Sequence, residues 1–217
     1  MKLKKDWTRE HLEKHYIGKM TATTIPVNIS ISGKQKILDM SQLEIILREA
    51  EVIAQEECYC RKKMGNCNDP MDGCLSLDKE ALDAIEKDGA KRITVEEALS
   101  AMKRTYDAGF VHMAYVYDGK DKPEIICSCC RCCCHSLSAA LRFGYSDHVF
   151  YSEKIASQDN SLCDNCGACV DRCQFEARKM DKEELLFEPE KCAGCGLCLL
   201  DCPTEAITIV ERERIGS

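Results

Sequence analysis

The chain has 217 residues, of which 45% are hydrophobic, 6% aromatic and 18 cysteine, and its formal net charge is -7. This length suits two domains of about 100 to 150 residues. No stretch reaches the roughly 18 apolar residues of a membrane span, and no apolar run follows the basic start Met1 to Lys5, so neither a span nor a secretory leader is expected. A cytoplasmic location is therefore expected, where thiols stay reduced and clustered cysteines mean metal. The charge is uneven: from Asp159 onward there are 13 acidic and 7 basic side chains. Such a surface disfavours nucleic acid and suits a basic protein partner.

In chain order, Thr8 is placed to cap a short helix running to Lys19, and the alternation from Thr24 to Ile31 reads as a strand that Pro26 confines to an edge. Ser41 and Glu44 have capping-box spacing. Leu43, Ile46, Leu47, Ala50, Ile53 and Ala54 then recur at helical intervals. Residues 58 to 75 lose that period among Gly65, Asn66, Pro70 and Gly73 and four cysteines, as a loop wrapped around a ligand would. Helices are predicted over 77 to 87 and from Thr94, which pairs with Glu97 as a second capping box, to Gly109. Val111 to Tyr117 reads as a strand. Beyond a turn at 118 to 120, Glu124 to Ile126 leads into Cys127–Cys134 and His135; a helix over 136 to 143 and a connection over 144 to 158 follow. Two domains are expected, 1–157 and 158–217.

A shift of 29 residues superposes Cys163, Cys166, Cys169 and Cys173 on Cys192, Cys195, Cys198 and Cys202, with Gly167 over Gly196. Each half has the C-x2-C-x2-C-x3-C spacing that lets three thiolates curl around one face of an iron-sulfur cubane. Residues 159 to 210 resemble a two-[4Fe-4S] bacterial ferredoxin. The resemblance implies a small α+β domain with paired strands and two short helices beginning near Cys173 and Pro203. It also implies that the last cysteine of each run serves the other cluster: Cys163, Cys166, Cys169 and Cys202 hold one, and Cys192, Cys195, Cys198 and Cys173 the other. Pro203 follows Cys202 as the pattern expects, whereas Gln174 follows Cys173.

The preceding part holds ten further cysteines in two groups. Cys58, Cys60, Cys67 and Cys74 suffice for a third cluster, with Arg61, Lys62 and Lys63 as counter-charges; a four-thiolate zinc site is the alternative. Cys127, Cys129, Cys130, Cys132, Cys133 and Cys134 are too crowded to face one cube, because neighbours on an extended segment point oppositely. They fit a fourth cluster, a division between sites, or a non-cubane assembly. His112 and His135 read better as packed histidines than as ligands.

Together these segments resemble anaerobic 4Fe-4S dicluster proteins with an amino-terminal C-x-C-R and I-C-x-C-C-x-C-C-C extension, here Cys58 to Arg61, Cys67 to Leu75, Gly109 to His112 and Ile126 to Cys134. The resemblance implies an α+β fold, an α/β-mixed cysteine-rich domain before the ferredoxin-like one, and an iron-sulfur electron carrier or subunit of a multisubunit oxidoreductase. The alternative is a redox enzyme or maturation component with a special centre at Cys127 to Cys134. No phosphate loop, dinucleotide fingerprint or nucleophile triad is present.

Overall fold

Thr94 and Glu97 form the capping box that their spacing predicts, each side chain accepting the other's backbone N–H at 3.2 and 2.9 Å, and so open the longest helix. The computed structural model describes residues 2–32, 35–67 and 70–212. The first unit runs α1 (Arg9–His15), β1 (Met20–Thr24), β2 (Asn28–Ser32), β3 (Gln35–Asp39), α2 (Ser41–Glu49), β4 (Ile53–Glu56), α3 (Tyr59–Met64), β5 (Cys74–Leu77), α4 (Asp78–Asp88), β6 (Lys91–Arg92), α5 (Val95–Asp107), β7 (Val111–Tyr117), β8 (Ile125–Cys129), α6 (His135–Arg142) and β9 (Val149–Phe150). The second runs β10 (Lys154–Gln158), α7 (Ala168–Arg172), β11 (Arg178–Asp181), β12 (Glu184–Phe187) and β13 (Ile207–Glu211). The fold is mixed α+β.

Seven strands form one sheet in the order β6-β4-β5-β8-β7-β1-β9, antiparallel except for the β1–β9 pair. Because side chains alternate along a strand, the sheet has two unlike faces. Leu75, Leu77, Ala114 and Ile126 pack with Leu43 and Leu47 of α2 and Ala98 and Met102 of α5. The alternate positions Cys74, Ser76, Tyr115, Cys127 and Cys129 line a cavity on the opposite face.

Several local expectations fail for identifiable reasons. The helix capped by Thr8 stops at His15, and the stretch after it enters β1. The strand expected over Thr24 to Ile31 breaks around Pro26, where Ile25 N–H bonds to His112 O at 2.9 Å and Val27 N–H to Cys195 O at 3.3 Å. No Ser41–Glu44 box forms: Met40 occupies the cap position, and the Asp39 carboxylate accepts the Ser41 N–H at 3.0 Å. Ile53 and Ala54 lie in β4, not in α2. The predicted 58–75 loop contains α3 and β5.

In the second unit, β10 pairs with β13 and β11 with β12. Its short helices lie inside the cysteine runs, as α7 and a 3-10 turn at Leu197–Leu199, not after Cys173 and Pro203. Glu176 and Glu205, equivalent in the repeat, have φ of 57°; a left-handed residue interrupts a right-handed helix. The two units share a core in which Val27, Tyr106 and Val111 meet Phe175, Ala193 and Leu197. Among the described residues, no helix is long and apolar enough to cross a membrane.

Candidate metal centres

The repeated cysteines gather across the two runs. Cys163, Cys166 and Cys169 share a small cavity with Cys202 of the second run, closed by Leu185, Ala206 and Ile207. Cys173 of the first run instead lies beside Cys192, Cys195 and Cys198: burial pushes the Cys195 thiol well up, and the charges of Cys198, Cys173 and Cys192 push it further. Cys198 is pushed up to about 12, by burial first, with Arg178 pulling against it. Free thiolates are thus costly here, and cationic iron offsets that cost.

Arg178 is 3% exposed. Its Nη1 donates to Gln158 Oε1 at 2.6 Å and lies 4.0 Å from Cys169 Sγ, and its guanidinium sits 4.5 Å from the Phe187 ring centre. It places a positive charge beside thiols of both runs. Gly167 and Gly196 adopt φ of 76° and 82°, which turns the chain back between the second and third cysteines of each run. The residues therefore fit two four-thiolate clusters, each drawing on both runs.

The ten earlier cysteines divide differently from the expectation. Cys67 does not join Cys58, Cys60 and Cys74. It lies 3.8 Å from both Cys130 and Cys133, and Cys132 lies 3.4 Å from Cys130 and 3.7 Å from Cys133. All four sulfurs are within 4.8 Å of one another. The convergence comes from a turn: the N–H groups of Cys133 and Cys134 both bond to Cys130 O, at 3.3 and 3.0 Å. This bend is how adjacent Cys132 and Cys133 face one point. The shared proximity splits the four thiols: Cys130 is drawn down to about 7, through Cys132 first, and Cys133 far below the usual thiol range, while Cys67 and Cys132 are pushed above it, through Cys130 first.

The other six, Cys58, Cys60, Cys74, Cys127, Cys129 and Cys134, line a cavity of about 410 Å3, to whose wall Cys130 and Cys133 also reach. Register explains the gathering, since β5 and β8 place Cys74 opposite Cys127, with sulfurs 3.5 Å apart. Tyr115 Oη lies 3.3 Å from Cys129 Sγ and 3.5 Å from Cys134 Sγ. His135, at the start of α6, also lines this cavity and stacks on Tyr16 with ring centres 3.8 Å apart. His112 points to the helix-covered face, 3.2 Å from Ser128 Oγ, where burial pushes it down to about 4 and keeps it neutral.

Of the three expected counter-charges, Arg61 alone is buried, at 2% exposure. Lys62 pairs with Glu57 at 2.6 Å, and Lys63 bonds to Tyr59 Oη at 3.0 Å. Arg61 Nη1 donates to Ser128 O at 2.9 Å and lies 4.0 Å from Cys130 Sγ, while the ring of Phe110 sits 4.3 Å from its guanidinium. Burial works against its charge, but Cys58, Cys130, Cys74 and Cys129 more than reverse this. Nothing in the sequence marks Tyr16 or Tyr115 as neighbours of the thiols. Their placement depends on the pairing of distant strands.

A family model described as a 4Fe-4S dicluster domain matches residues 162–206. The archaeal-type glutamate synthase [NADPH] of Thermotoga maritima is 39% identical over 63 residues, 28% of this chain and 12% of that protein. A ferredoxin of Pyrobaculum islandicum is 38% identical over 53 residues, 23% of this chain and 48% of that protein. An uncharacterised ferredoxin of Methanocaldococcus jannaschii is 33% identical over 54 residues, 24% of this chain and 87% of that protein. The chain thus spans an eighth or so of the synthase and about half of the Pyrobaculum protein. These matches support an iron-sulfur electron-transfer role and do not favour the enzyme or maturation alternative. Through its carboxy-terminal dicluster domain, the chain belongs to the ferredoxin family.

Proposed function

We propose that this chain conducts single electrons between an outer and an inner ferredoxin-type [4Fe-4S] cluster and an amino-terminal thiol-lined centre, as part of a larger cytoplasmic oxidoreductase. Cys163, Cys166, Cys169 and Cys202 hold the outer cluster, and Cys192, Cys195, Cys198 and Cys173 the inner one. Four of the six thiols at Cys58, Cys60, Cys74, Cys127, Cys129 and Cys134 hold a further iron-sulfur cluster. Each cluster supplies a site for one added electron. The domains meet a few residues ahead of 158, a division supported by the pairing of β10 with β13.

The observation that carries this reading is the shared buried core. It contains Cys129 and Cys134 of the first unit and has Cys173 and Cys195 of the second packed against it. Two hydrogen bonds span this junction: Tyr106 Oη donates to Gly196 O at 2.9 Å, and Arg131 N–H donates to Gln174 Oε1 at 2.9 Å. The outer end, by contrast, exposes Cys166 to solvent, where a partner can approach. Membership of a multisubunit oxidoreductase accords with the synthase likeness, and the acidic second unit suits a basic docking surface.

The test is a Cys202→Ser and Cys173→Ser pair, purified without oxygen. Each is expected to lose about four iron and four sulfide per chain, from the outer and inner cluster respectively. Loss of the inner cluster should also slow reduction of the amino-terminal centre by an external one-electron donor. Full retention of iron in both variants would refute the cross-run ligation, and unchanged electron delivery in Cys173→Ser would refute the route.

A further inference from the structure

We infer that Cys67, Cys130, Cys132 and Cys133 bind a single tetrahedral metal ion, zinc or mononuclear iron, distinct from the iron-sulfur clusters and closing the amino-terminal segment over the thiol face of the sheet. The geometry is specific to one ion. Four thiolates about 2.3 Å from a central metal stand at the corners of a tetrahedron whose edges are about 3.8 Å. Four of the six sulfur–sulfur edges here measure 3.4, 3.7, 3.8 and 3.8 Å, and the other two are within 4.8 Å. A cubane's thiolates bind four different irons and are held apart by the width of the cluster.

The same chain supplies an internal control. Among the described residues, no other group of three or more potential ligands has all its ligand atoms within 4.8 Å. The eight ferredoxin-type cysteines are not drawn together in this way, and around the cavity Cys74 and Cys127 approach to 3.5 Å as a pair while no three of the six thiols converge within 4.8 Å. The fold therefore keeps two kinds of thiol site, open ones suited to a cluster and one contracted to the size of a single ion.

Charge points the same way. A divalent ion with four thiolates carries two negative charges, and burying them requires a cation nearby. Arg61 stands 4.0 Å from Cys130 Sγ, and its Nε and Nη2 are buried without a hydrogen-bond partner. Four protein ligands leave no open coordination position, the mark of a structural rather than a catalytic site.

The surroundings show what such a knot would fasten. Asn66, next to Cys67, accepts from the N–H groups of Lys4 and Lys5 at 2.7 and 3.1 Å, and its Nδ2 donates to Lys5 O at 2.8 Å and Cys132 O at 2.6 Å. Trp7 Nε1 donates to Cys133 O at 2.8 Å. The amino-terminal segment is thus bonded directly to the peptide group of Cys133 through Trp7, and through Asn66 to that of Cys132.

The proposal is tested by metal and acid-labile sulfide analysis of anaerobically purified full-length protein and its Cys67→Ser and Cys132→Ser variants. The wild type should carry one metal equivalent per chain that both variants lose while keeping all their sulfide. If that metal is zinc, zinc-edge EXAFS should show four sulfurs at about 2.3 Å and no second metal; if it is iron, the Mössbauer spectrum should contain a single tetrathiolate iron that the variants lack. Loss of about four iron together with four sulfide would overturn the proposal in favour of a cluster, as would metal content unchanged by both substitutions. If neither variant folds, the wild-type spectrum decides: a metal neighbour around every metal atom would sink the single-ion site. The electron-transfer reading is scored separately, by the Cys202 and Cys173 variants.

Discussion

The two halves of the 29-residue repeat share cysteine spacing but not surroundings. In the first, Asp164, Asn165 and Cys166 are exposed; in the second, the matching Ala193 and Gly194 are buried and Cys195 is half-buried. A Cβ added at Gly167 would find only the Met180 side chain, with Sδ at 3.3 Å, whereas one at Gly196 would lie 1.8 Å from Val27 O. The cysteines specify a thiolate pocket in either half. The residues between them specify whether that pocket faces water or another domain. Repetition of a metal motif therefore predicts the centre far better than it predicts the centre's environment.

The sharpest test of this contrast is alanine at the two equivalent glycines. Both substitutions force a β-carbon into a left-handed backbone, which costs about 1 to 2 kcal/mol. At Gly167 the flexible Met180 side chain can yield, so the loss should stay near that value. At Gly196 the obstruction is a backbone carbonyl, and relief requires the units to separate. Gly196→Ala should cost more than about 4 kcal/mol and expose the shared core, as read by anaerobic denaturant unfolding and proteolysis at the junction. Equal losses at the two positions would break the comparison.

A second test concerns reduction. An added electron makes a cluster more negative, and removal from water penalises that charge; solvent exposure is one of the levers on cluster potential. The outer cluster beside exposed Cys166 should therefore reduce first, and the inner one at lower potential. An EPR-monitored potentiometric titration of the wild type and of Cys202→Ser checks the order, because the variant should lack the earlier wave. A missing later wave would reverse the assignment.

What the sequence reveals follows the range of the interactions involved. The Thr94–Glu97 box and the Val111–Tyr117 strand form as read, because adjacent residues decide them. The dicluster domain is legible because its signal lies in spacing within each run. The grouping of the ten earlier thiols is not. Cys74 meets Cys127 through strand pairing across 53 positions, and Cys67 meets Cys130 across 63. Proximity in sequence places Cys67 with Cys58, Cys60 and Cys74, but α3 and β5 bring the other three to one cavity while Cys67, between them, lies against Cys130 and Cys133. Side chains alternate over β8, where Ser128 faces away from Cys127 and Cys129, and the alternation stops at Cys130, where the chain turns.

Gln174 gives the smallest test and joins the first cysteine run to the amino-terminal unit. It occupies the position of Pro203 in the repeat, and its Nε2 donates to Gly109 O at 2.9 Å while its Oε1 accepts the Arg131 N–H at the same distance. Proline there would remove both bonds, so the departure from the ferredoxin pattern serves docking. Each lost neutral bond is worth about 0.5 to 1.5 kcal/mol, and Gln174→Ala should cost about 1 to 3 kcal/mol with iron and sulfide content unchanged. Gln174→Pro should lose at least as much. If the proline variant were as stable as the wild type, the bonds to Gly109 and Arg131 would be dispensable, and the burial of the second run would have to rest on Val27, Tyr106 and the glycine turns alone.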